Sequence, residues 1–437
     1  MLSAKDNELL TRVGPGTPMG TLLRRFWLPA LLSSELAGPD CDPIRTRTLG
    51  EDLVAFRDSN GQVGIIDAFC PHRRAPLYFG RNEDCGLRCV YHGWKFDTSG
   101  ECIDMPNEPP ESTFKDKISI NSYPTAEVGG VVWIYMGPPE HRPDGPPQLP
   151  FTFVPEQERR QVKFLVEANW LQCLEGELDT VHVSFLHNVF ADDGTGIMNL
   201  VREDGYTNDR HPRLFVVDTP YGFCYGGRRA QAAGDYYWRV TQFLLPIFAL
   251  IPSAAGYTSG ATIWMPIDDN HCWRFLLGGS RVPGSAPTGS NRTNGSAPPP
   301  RPVLPTEPGM FRFPDGAEID TLLPTYRRKN LYGMDRAVQR KVSFTGMPFI
   351  PTQDQAMTEG MGHICDRTQE HLGTTDVAII HMRRLMTRLV TDLQNGIEPY
   401  PATRPELYRV RPLDVVSENA ELPNLLDEYH AETLLPV

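Results

Sequence analysis

Two short segments that each place a cysteine close to a histidine constrain this chain more than any other feature of its sequence. The first segment reads Cys70-Pro-His72 and the second reads Cys89-Val-Tyr-His92. Thiolates and imidazoles bind soft and borderline metals, and one metal group can use all four only if two separate loops come together. The surrounding chain is therefore expected to form a small scaffold that presents two loops side by side.

The pairing inside each loop indicates the kind of metal group. Two cysteines on one iron and two histidines on the other are the ligands of a Rieske [2Fe–2S] cluster. A zinc site is the alternative, but zinc fingers with two cysteines and two histidines keep each residue type together. The arrangement here favours the cluster, whose neutral imidazoles raise its potential, so that it accepts electrons easily and passes them on.

Short segments of β type surround the two loops. Turns typical of hairpins lie at Asn60-Gly61 and Ser99-Gly100. The predicted strands are 44–49, 52–57, 63–67, 94–97, 101–105 and 131–136. The sequence therefore predicts a small all-β domain with the cysteine–histidine loops at its tip.

Prolines are frequent in residues 137–155, where they fix φ and remove backbone donors. We place a domain boundary in this segment, which gives an N-terminal domain at 1–150 and a second domain at 151–437. A chain of 437 residues is long enough for two such domains.

The second domain is predicted to contain both helices and strands. A helical stretch is expected at 170–187, and an amphipathic helix is expected to have Asp376 as its cap and to end at Gly396. The expected strands are 213–217, 236–245 and 261–265. Residues 283–308 are expected to form a long surface loop, and the proline-containing tail after Gly396 an extended chain.

A second group of metal-ligand residues lies in the first of these predicted helices, at Asp179, His182 and His187. Residues three apart on a helix can face the same way, whereas residues five apart converge only at a bulge or a helix end. Hydrogen-bonded histidines in a half-buried helix are the alternative interpretation. Beside an electron-carrying cluster we favour a mononuclear iron site, because two histidines with one carboxylate bind Fe(II) and leave positions for O2 and substrate.

The motifs resemble those of a known family. The segments CPHRRAP (70–76), CVYHGWKFD (89–97) and Asp-x-x-His-x-x-x-x-His (179–187) are similar, in this order and separation, to those of the α subunit of Rieske non-haem iron ring-hydroxylating oxygenases. Residues 351–376 resemble in particular the phthalate dioxygenase subfamily, which includes aryl O-demethylases. The resemblance implies an α+β fold, in which an all-β Rieske domain precedes an antiparallel sheet covered by helices in a helix-grip arrangement.

The resemblance also implies which residues bind two iron cofactors. The implied ligands of the [2Fe–2S] cluster are Cys70, His72, Cys89 and His92. The mononuclear Fe(II) would take His182, His187 and an aspartate that precedes a C-terminal helix, and Asp354 matches this aspartate.

Three other carboxylates compete for the role of third iron ligand, namely Glu359, Asp366 and Asp376. We interpret Asp376 as the helix cap and Asp366 as an ion-pair partner of the adjacent Arg367. Asp354 is therefore the predicted ligand.

Asp179 is implied to be a bridge rather than a ligand. It would accept hydrogen bonds from His182 and from His92 of the partner subunit, and so connect the mononuclear iron to a cluster. Within one subunit the family's two centres are too far apart, so the resemblance implies a homo-oligomer, either a trimer or stacked trimers.

Composition and missing motifs limit the partners. The net charge of −12 lacks the positive field that nucleic-acid binding requires. The apolar window at 243–251 is short and contains Pro246, and the first twenty residues have no apolar core, so we expect no membrane contact and a cytoplasmic location. No nucleotide-binding glycine motif occurs, so electrons are expected from a separate NAD(P)H-dependent reductase or ferredoxin.

The substrate is expected to be a small aromatic compound. Arg228 and Arg229 are candidate substrate-binding residues, because a guanidinium holds a carboxylate through two parallel hydrogen bonds. A solvated or ion-paired surface location is the alternative for both arginines. Asp192 and Asp193 would repel a carboxylate if they faced the pocket.

The sequence therefore predicts a terminal oxygenase component that uses O2 at Fe(II) to hydroxylate an aromatic acid such as a phthalate-like dicarboxylate. One alternative is an O-demethylase of a methoxylated aromatic acid. Another, from a different class, is a Rieske electron carrier without oxygenase activity.

Overall fold

The computed structural model describes residues 2–190, 209–232, 234–252, 260–279 and 304–435. The strands are β1 (Trp27–Leu32), β2 (Ile44–Thr48), β3 (Glu51–Arg57), β4 (Val63–Asp67), β5 (Arg81–Glu83), β6 (Gly86–Arg88), β7 (Lys95–Phe96), β8 (Cys102–Asp104), β9 (Ser122–Tyr123), β10 (Thr125–Val128), β11 (Val131–Tyr135), β12 (Arg159–Val166), β13 (Arg213–Thr219), β14 (Gly222–Ala230), β15 (Tyr236–Leu244), β16 (Phe248–Leu250), β17 (Ala261–Pro266), β18 (Cys272–Gly279), β19 (Thr306–Arg312), β20 (Glu318–Pro324) and β21 (Leu413–Ser417). The α-helices are α1 (Ala4–Thr11), α2 (Pro18–Leu23), α3 (Trp170–Glu177), α4 (Arg336–Lys341), α5 (Ile350–Gly360), α6 (Val377–Gln394), α7 (Leu422–Glu428) and α8 (His430–Thr433).

The N-terminal part is built from three small antiparallel sheets. Their strand orders are β1-β11-β10, β2-β3-β4-β9 and β5-β6-β7-β8. The predicted hairpins form, since β3 pairs with β4 across the turn at Gly61 (φ +81°) and β7 pairs with β8 across the turn at Gly100 (φ +86°). The second cysteine–histidine loop connects β6 to β7, so this small sheet fixes its position.

The second part is one large antiparallel sheet with helices against it. Its order is β12-β18-β17-β16-β15-β14-β13, and β21 pairs with β15. Helix α6 covers one face, where the ring of His381 lies 4.9 Å from the ring of Phe223 on β14. Helix α3 packs on the same sheet through Cys173, whose Sγ lies 3.8 Å from Sγ of Cys272 at the start of β18. The residues after α3 are thereby held close to the sheet.

Ion pairs join the two parts. Arg45 on β2 binds Glu318 (2.7 Å) and Asp320 (2.8 Å) of the β19–β20 hairpin. Lys163 on β12 binds Glu35 (3.0 Å), and its ammonium lies 4.1 Å from the centre of the Trp273 ring. Charged side chains of one part are therefore neutralised by the other.

The predicted helix at 170–187 is too long. Helix α3 ends at Glu177, and His182 begins a separate short 3₁₀ turn, His182–Ser184. The carboxylate of Asp179 accepts hydrogen bonds from the N–H groups of Val181 (2.7 Å) and His182 (3.3 Å). Such a side-chain bond competes with helical backbone bonding, and it explains why the helix does not continue.

The predicted role of Asp376 is also wrong in part. Helix α6 begins directly after this residue as expected, but the Asp376 carboxylate accepts from the N–H of Gly373 (2.6 Å) and so closes the preceding turn. No described side chain caps α6 at this position.

The extended tail predicted after Gly396 is wrong. Leu413 and Val415 lie on β21, and Leu422 and Leu425 on α7 pack with them against Trp238. Apolar residues between the prolines are thus spaced so that they bury against β15. Of the predicted loop at 283–308, residues 283–303 lie outside the described ranges, and the last three residues belong to β19 instead. Among the described residues, no helix is both long and apolar enough to cross a bilayer.

Candidate metal centres

The first cysteine–histidine loop is closed by its own backbone. The N–H of Cys70 donates to the carbonyl of Ala75 (2.9 Å), and the N–H of Arg74 donates to the carbonyl of Cys70 (2.9 Å). Arg74 has φ +59°, in the left-handed region, which tightens the turn. As a result Cys70 is buried, while His72 is half-buried.

The second loop closes in the same way. The N–H of Cys89 donates to the carbonyl of Trp94 (2.8 Å), and the N–H of Gly93 donates to the carbonyl of Cys89 (2.9 Å). Gly93 has φ +82°, and a Cβ at this position would lie 2.6 Å from the side chain of Pro106. Glycine is therefore required here.

Aromatic contacts bring the two loops together. The rings of His72 and His92 lie 4.4 Å apart, and Trp94 stacks on His72 at 4.5 Å while its Nε1 donates to Asn107 (2.8 Å). Nδ1 of His92 is buried and has no hydrogen-bond partner among the described residues. A buried nitrogen without a partner suits a metal ligand, so these side chains fit a Rieske cluster.

The mononuclear site is formed by His182, His187 and Asp354. Each offers one ligand atom, and these atoms all lie within 4.8 Å of one another. Nε2 of His187 lies 3.2 Å from Nε2 of His182 and 3.1 Å from Oδ1 of Asp354. The distance from Nε2 of His182 to Oδ1 of Asp354 is 3.8 Å. The histidines follow α3, and Asp354 lies on α5. Two imidazoles and one carboxylate fit the facial ligand set of non-haem Fe(II).

An oxygen of a neighbouring side chain lies near Nδ1 of each imidazole. Nδ1 of His187 donates to Oε1 of Gln353 (2.7 Å), and Nε2 of Gln353 donates to the carbonyl of Met347 (2.9 Å). Nδ1 of His182 lies 3.6 Å from Oδ2 of Asp179. A partner on Nδ1 fixes the tautomer that leaves Nε2 available for a metal.

A buried arginine contacts the carboxylate of the site. Both terminal nitrogens of Arg274 lie near Oδ2 of Asp354, at 3.4 and 3.3 Å, and one also binds Glu177 at 2.8 Å. Burial by itself raises the pKa of Asp354, but His187, Arg274 and His182 outweigh burial and lower the pKa to about 2. Asp354 is therefore ionised, as a metal ligand must be.

Glu359 is engaged elsewhere. Its carboxylate accepts from the hydroxyl of Tyr332 (2.6 Å), from Nε2 of Gln355 (2.7 Å) and from the N–H of Glu167 (2.9 Å). These bonds hold the carboxylate in a structural role, on the same helix as Asp354.

The predicted ion pair between Asp366 and Arg367 is wrong. Arg367 is fully buried and binds Glu175 (2.8 Å), whereas exposed Asp366 accepts from the N–H (3.0 Å) and hydroxyl (2.6 Å) of Thr368. The two adjacent side chains point apart because the buried guanidinium needs a buried carboxylate as its partner, whereas the exposed aspartate is solvated and needs no cation.

The two candidate arginines face opposite sides of β14. Arg228 donates to the carbonyl of Ala420, and its guanidinium lies 4.6 Å from the ring of Tyr236. Arg229 is fully buried and donates to the carbonyl of Thr180 (3.0 Å), two residues before His182. The two therefore cannot act on one carboxylate together, and only Arg229 points towards the histidine loop.

Two predictions from the sequence concern atoms outside the described part of one chain. The hydrogen bond between Asp179 and His92 of the partner subunit requires a second copy. Asp192 and Asp193 lie outside the described residues.

Sequence reasoning missed Gln353, Glu177 and Arg274. The amide of Gln353 directly precedes the predicted ligand Asp354 in Pro-Thr-Gln-Asp-Gln, which could have indicated an orienting role. Arg274 is a single charge within the apolar segment Cys-Trp-Arg-Phe-Leu-Leu, and a charge in a buried strand requires a nearby partner. Nothing in the sequence indicates that this partner lies on α3.

Two family models match the chain. The model of the Rieske [2Fe-2S] domain matches residues 26–124, and the model described as LigXa C-terminal domain like matches residues 134–285 and 314–421.

Characterised relatives are similar over almost their whole length. The 3-chlorobenzoate-3,4-dioxygenase oxygenase subunit of Comamonas testosteroni is 39% identical over 91% of this chain and 91% of its own. The phthalate 4,5-dioxygenase oxygenase subunit of Pseudomonas putida is 37% identical over 91% and 88%. The 5,5'-dehydrodivanillate O-demethylase oxygenase subunit of Sphingobium sp. (strain NBRC 103272 / SYK-6) is 31% identical over 98% and 90%.

Solved structures share the fold. Dicamba monooxygenase bound to dicamba matches with a TM-score of 0.57 and 18% identity, over 86% of this chain and 99% of its own. The oxygenase in an oxygenase–ferredoxin complex of carbazole 1,9a-dioxygenase matches with a TM-score of 0.52 and 16% identity, over 92% and 97%.

Proposed function

This chain belongs to the Rieske non-haem iron oxygenases, in the group of phthalate dioxygenase-like oxygenase subunits, and we propose that it hydroxylates an aromatic acid as the terminal component of a multicomponent system. It carries a Rieske [2Fe–2S] cluster and a mononuclear iron, and it is an oxygenase of aromatic compounds. The aromatic acid and the roles of individual residues are the proposal.

We also propose that the chain has two domains, at 1–150 and 151–437, and that the protein has a cytoplasmic location.

The observation that carries the proposal is the convergence of His182, His187 and Asp354 in a chain that also contains the two cysteine–histidine loops. Mononuclear iron, when bound, activates O2 with electrons that a Rieske cluster delivers one at a time. A Rieske electron carrier has no use for the second ligand set. The convergence therefore supports an oxygenase over a carrier.

The chain's own residues position this chemistry. We propose that Gln353 holds His187, and Asp179 holds His182, in the tautomer that presents Nε2 to the metal. Asp354 supplies a third, negatively charged ligand. Together the three groups would hold the metal as two histidines and one carboxylate, a ligand set that leaves positions for O2 and substrate.

Asp179 is the proposed route for electrons. Its side chain is 28% exposed beside His182, which leaves room for a further hydrogen bond from His92 of the partner subunit. This role requires a homo-oligomer, which we propose to be a trimer or stacked trimers. We propose that a separate NAD(P)H-dependent reductase or a ferredoxin reduces the cluster, as the carbazole dioxygenase complex with ferredoxin suggests by analogy.

The substrate is proposed to be an aromatic carboxylate. The relatives named for 3-chlorobenzoate and phthalate support an acid, and Arg229 supplies a buried cation on the sheet face near the histidine loop. We propose Arg229 as the residue that pairs with the carboxylate. Arg228 contacts the α7 side of the sheet, and a substrate role for it has less support from its position.

O-demethylation is a second candidate reaction. A relative named as an O-demethylase subunit is 31% identical over 98% of this chain. The same residues would then bind a methoxylated aromatic acid, and formaldehyde would be released.

A substrate panel tests the proposal. Purified protein with a surrogate reductase would be supplied with benzoates, phthalates and methoxylated acids, each beside its neutral amide, while NADH and O2 consumption and product are measured. Substrate-stimulated consumption with a hydroxylated product supports the proposal, and formaldehyde release supports the second candidate. Consumption that no aromatic compound stimulates would contradict both.

A further inference from the structure

The two oxygens of Asp354 make different contacts. Oδ1 faces the imidazoles, 3.1 Å from Nε2 of His187, whereas Oδ2 faces the guanidinium of Arg274 at 3.3 and 3.4 Å. We propose that Arg274, held by Glu177, is a positioning residue that makes Asp354 present one oxygen, and not two, to the metal. This inference rests on the proposed mononuclear iron site.

Arg274 is fixed by its own contacts. Its side chain is 5% exposed, one terminal nitrogen lies 2.8 Å from the carboxylate of Glu177, and the guanidinium lies 4.8 Å from the centre of the Trp264 ring. Trp264 is the residue directly opposite Arg274 in the β17–β18 pair. A guanidinium fixed by these two contacts can orient a carboxylate more strictly than a mobile surface cation.

The charges explain why one oxygen stays on the arginine. A buried cation needs compensation, and here it is shared between Glu177, whose side chain is 9% exposed, and Asp354, at 20%. A carboxylate can bind a metal through one oxygen or through both. While Oδ2 pairs with Arg274, a single oxygen is available, and one more position is left open for O2 and substrate.

This role predicts opposite changes in metal affinity and in turnover. Removal of the guanidinium eliminates a positive charge that lies near the metal site, and it frees Oδ2 of Asp354. The metal should therefore bind more tightly, while Oδ2 fills a position that is otherwise open. A purely structural role for Arg274 predicts weaker metal binding instead, because a disturbed site holds its ligands less well.

The test uses Arg274→Met in the full chain, with Co(II) as the probe for the mononuclear site. We expect the visible absorption of bound Co(II) to lose intensity, because a higher coordination number weakens these bands. The Co(II) dissociation constant should fall about tenfold. With Fe(II), turnover should fall about 10–100-fold at unchanged substrate KM. Unchanged absorption, or weaker Co(II) binding, would overturn the inference.

Two further variants separate charge from geometry. The double variant Glu177→Gln with Arg274→Met has the net charge of the parent chain but still frees Oδ2, so it should lose absorption intensity with a smaller gain in affinity than Arg274→Met alone. Cys173→Ala is the matched control, because Cys173 contacts Cys272 in the same α3–β18 packing without reaching Asp354. It should behave like the parent chain. Parental Co(II) absorption in the double variant would count against the role of Arg274. Weakened Co(II) absorption in Cys173→Ala would count against it as well.

Folding failure and failure of the proposed function can be recognised. If Arg274→Met does not fold, Arg274→Lys keeps the charge but loses the two-nitrogen fork, and part of the absorption loss is still expected; parental absorption in that variant overturns the inference. A parent chain that binds no Co(II) at His182, His187 and Asp354 would contradict the proposed function as well. A parent chain that binds Co(II) normally, with variants that match it, would contradict the inference alone.

Discussion

Gln353 Oε1 lies 2.7 Å from Nδ1 of His187, and Gln353 directly precedes Asp354 on α5. One turn of helix therefore supplies both a metal ligand and the group that orients another ligand. The amide is itself fixed, because its Nε2 donates to the carbonyl of Met347.

The first prediction concerns Gln353→Leu. The leucine has a similar volume but cannot accept a hydrogen bond from Nδ1–H of His187, so the tautomer is no longer fixed. We expect Fe(II) affinity and turnover to fall about 10–100-fold, measured by equilibrium dialysis and O2 uptake. Gln355→Leu is the control, since Gln355 is also buried on α5 but binds Glu359. Equal losses in both variants would show that general packing is responsible.

The second prediction concerns Asp179→Asn. Asparagine can still accept from the N–H groups of Val181 and His182, so the loop should keep its shape, and both metal centres should remain because none of their ligands is changed. Loss of the bridging carboxylate should slow electron transfer by about 10–100-fold. Stopped-flow oxidation of the reduced cluster in the presence of substrate and O2 measures this rate directly. A variant with full iron and parental kinetics would exclude the bridge.

The third prediction compares Arg229→Gln with Arg228→Gln. Loss of the buried Arg229 should raise the KM for an aromatic acid about 10–100-fold, while the KM for its neutral amide changes little. Arg228→Gln should leave both KM values unchanged, since Arg228 contacts Ala420 and Tyr236. If the KM values for the acid and for the amide rise equally in Arg229→Gln, Arg229 supports the site only through packing.

The fourth prediction concerns the charge network beneath α6. Glu175 binds both Arg367 (2.8 Å) and Arg383 (2.7 Å), and all three side chains are at most 10% exposed. Glu175→Gln leaves a buried cation uncompensated, which should cost about 3–5 kcal/mol of unfolding free energy. Asp366→Asn is the control and should leave the unfolding free energy nearly unchanged, because Asp366 is exposed. Urea titration followed by fluorescence separates the two outcomes.

The family, the fold class and both cofactors could be predicted from the sequence, and the comparisons confirm them. The reason is that metal-ligand residues at fixed spacings, such as Cys70 to His72, restrict the chemistry and the loop geometry together. The residue assignments stay predictions, although the structure brings His182, His187 and Asp354 into one site across a long stretch of chain.

Other features could not be predicted because they depend on contacts between distant residues. The pairing of Arg367 with Glu175 requires α3 to lie beside the segment before α6, and adjacency in sequence wrongly suggested Asp366. The end of α3 depends on a side-chain bond from Asp179 that spacing alone does not distinguish from a helical position. The role of Arg274 depends on the packing of β18 against α3 and α5, which brings its guanidinium to Asp354.

The presence of two different iron centres in one chain can be examined by metal analysis and electron paramagnetic resonance of the purified protein. We expect about three iron atoms per chain and, after reduction with dithionite, the rhombic signal of a Rieske cluster. Zinc in place of iron at Cys70, His72, Cys89 and His92, or an iron content near two with no metal at His182, His187 and Asp354, would contradict it.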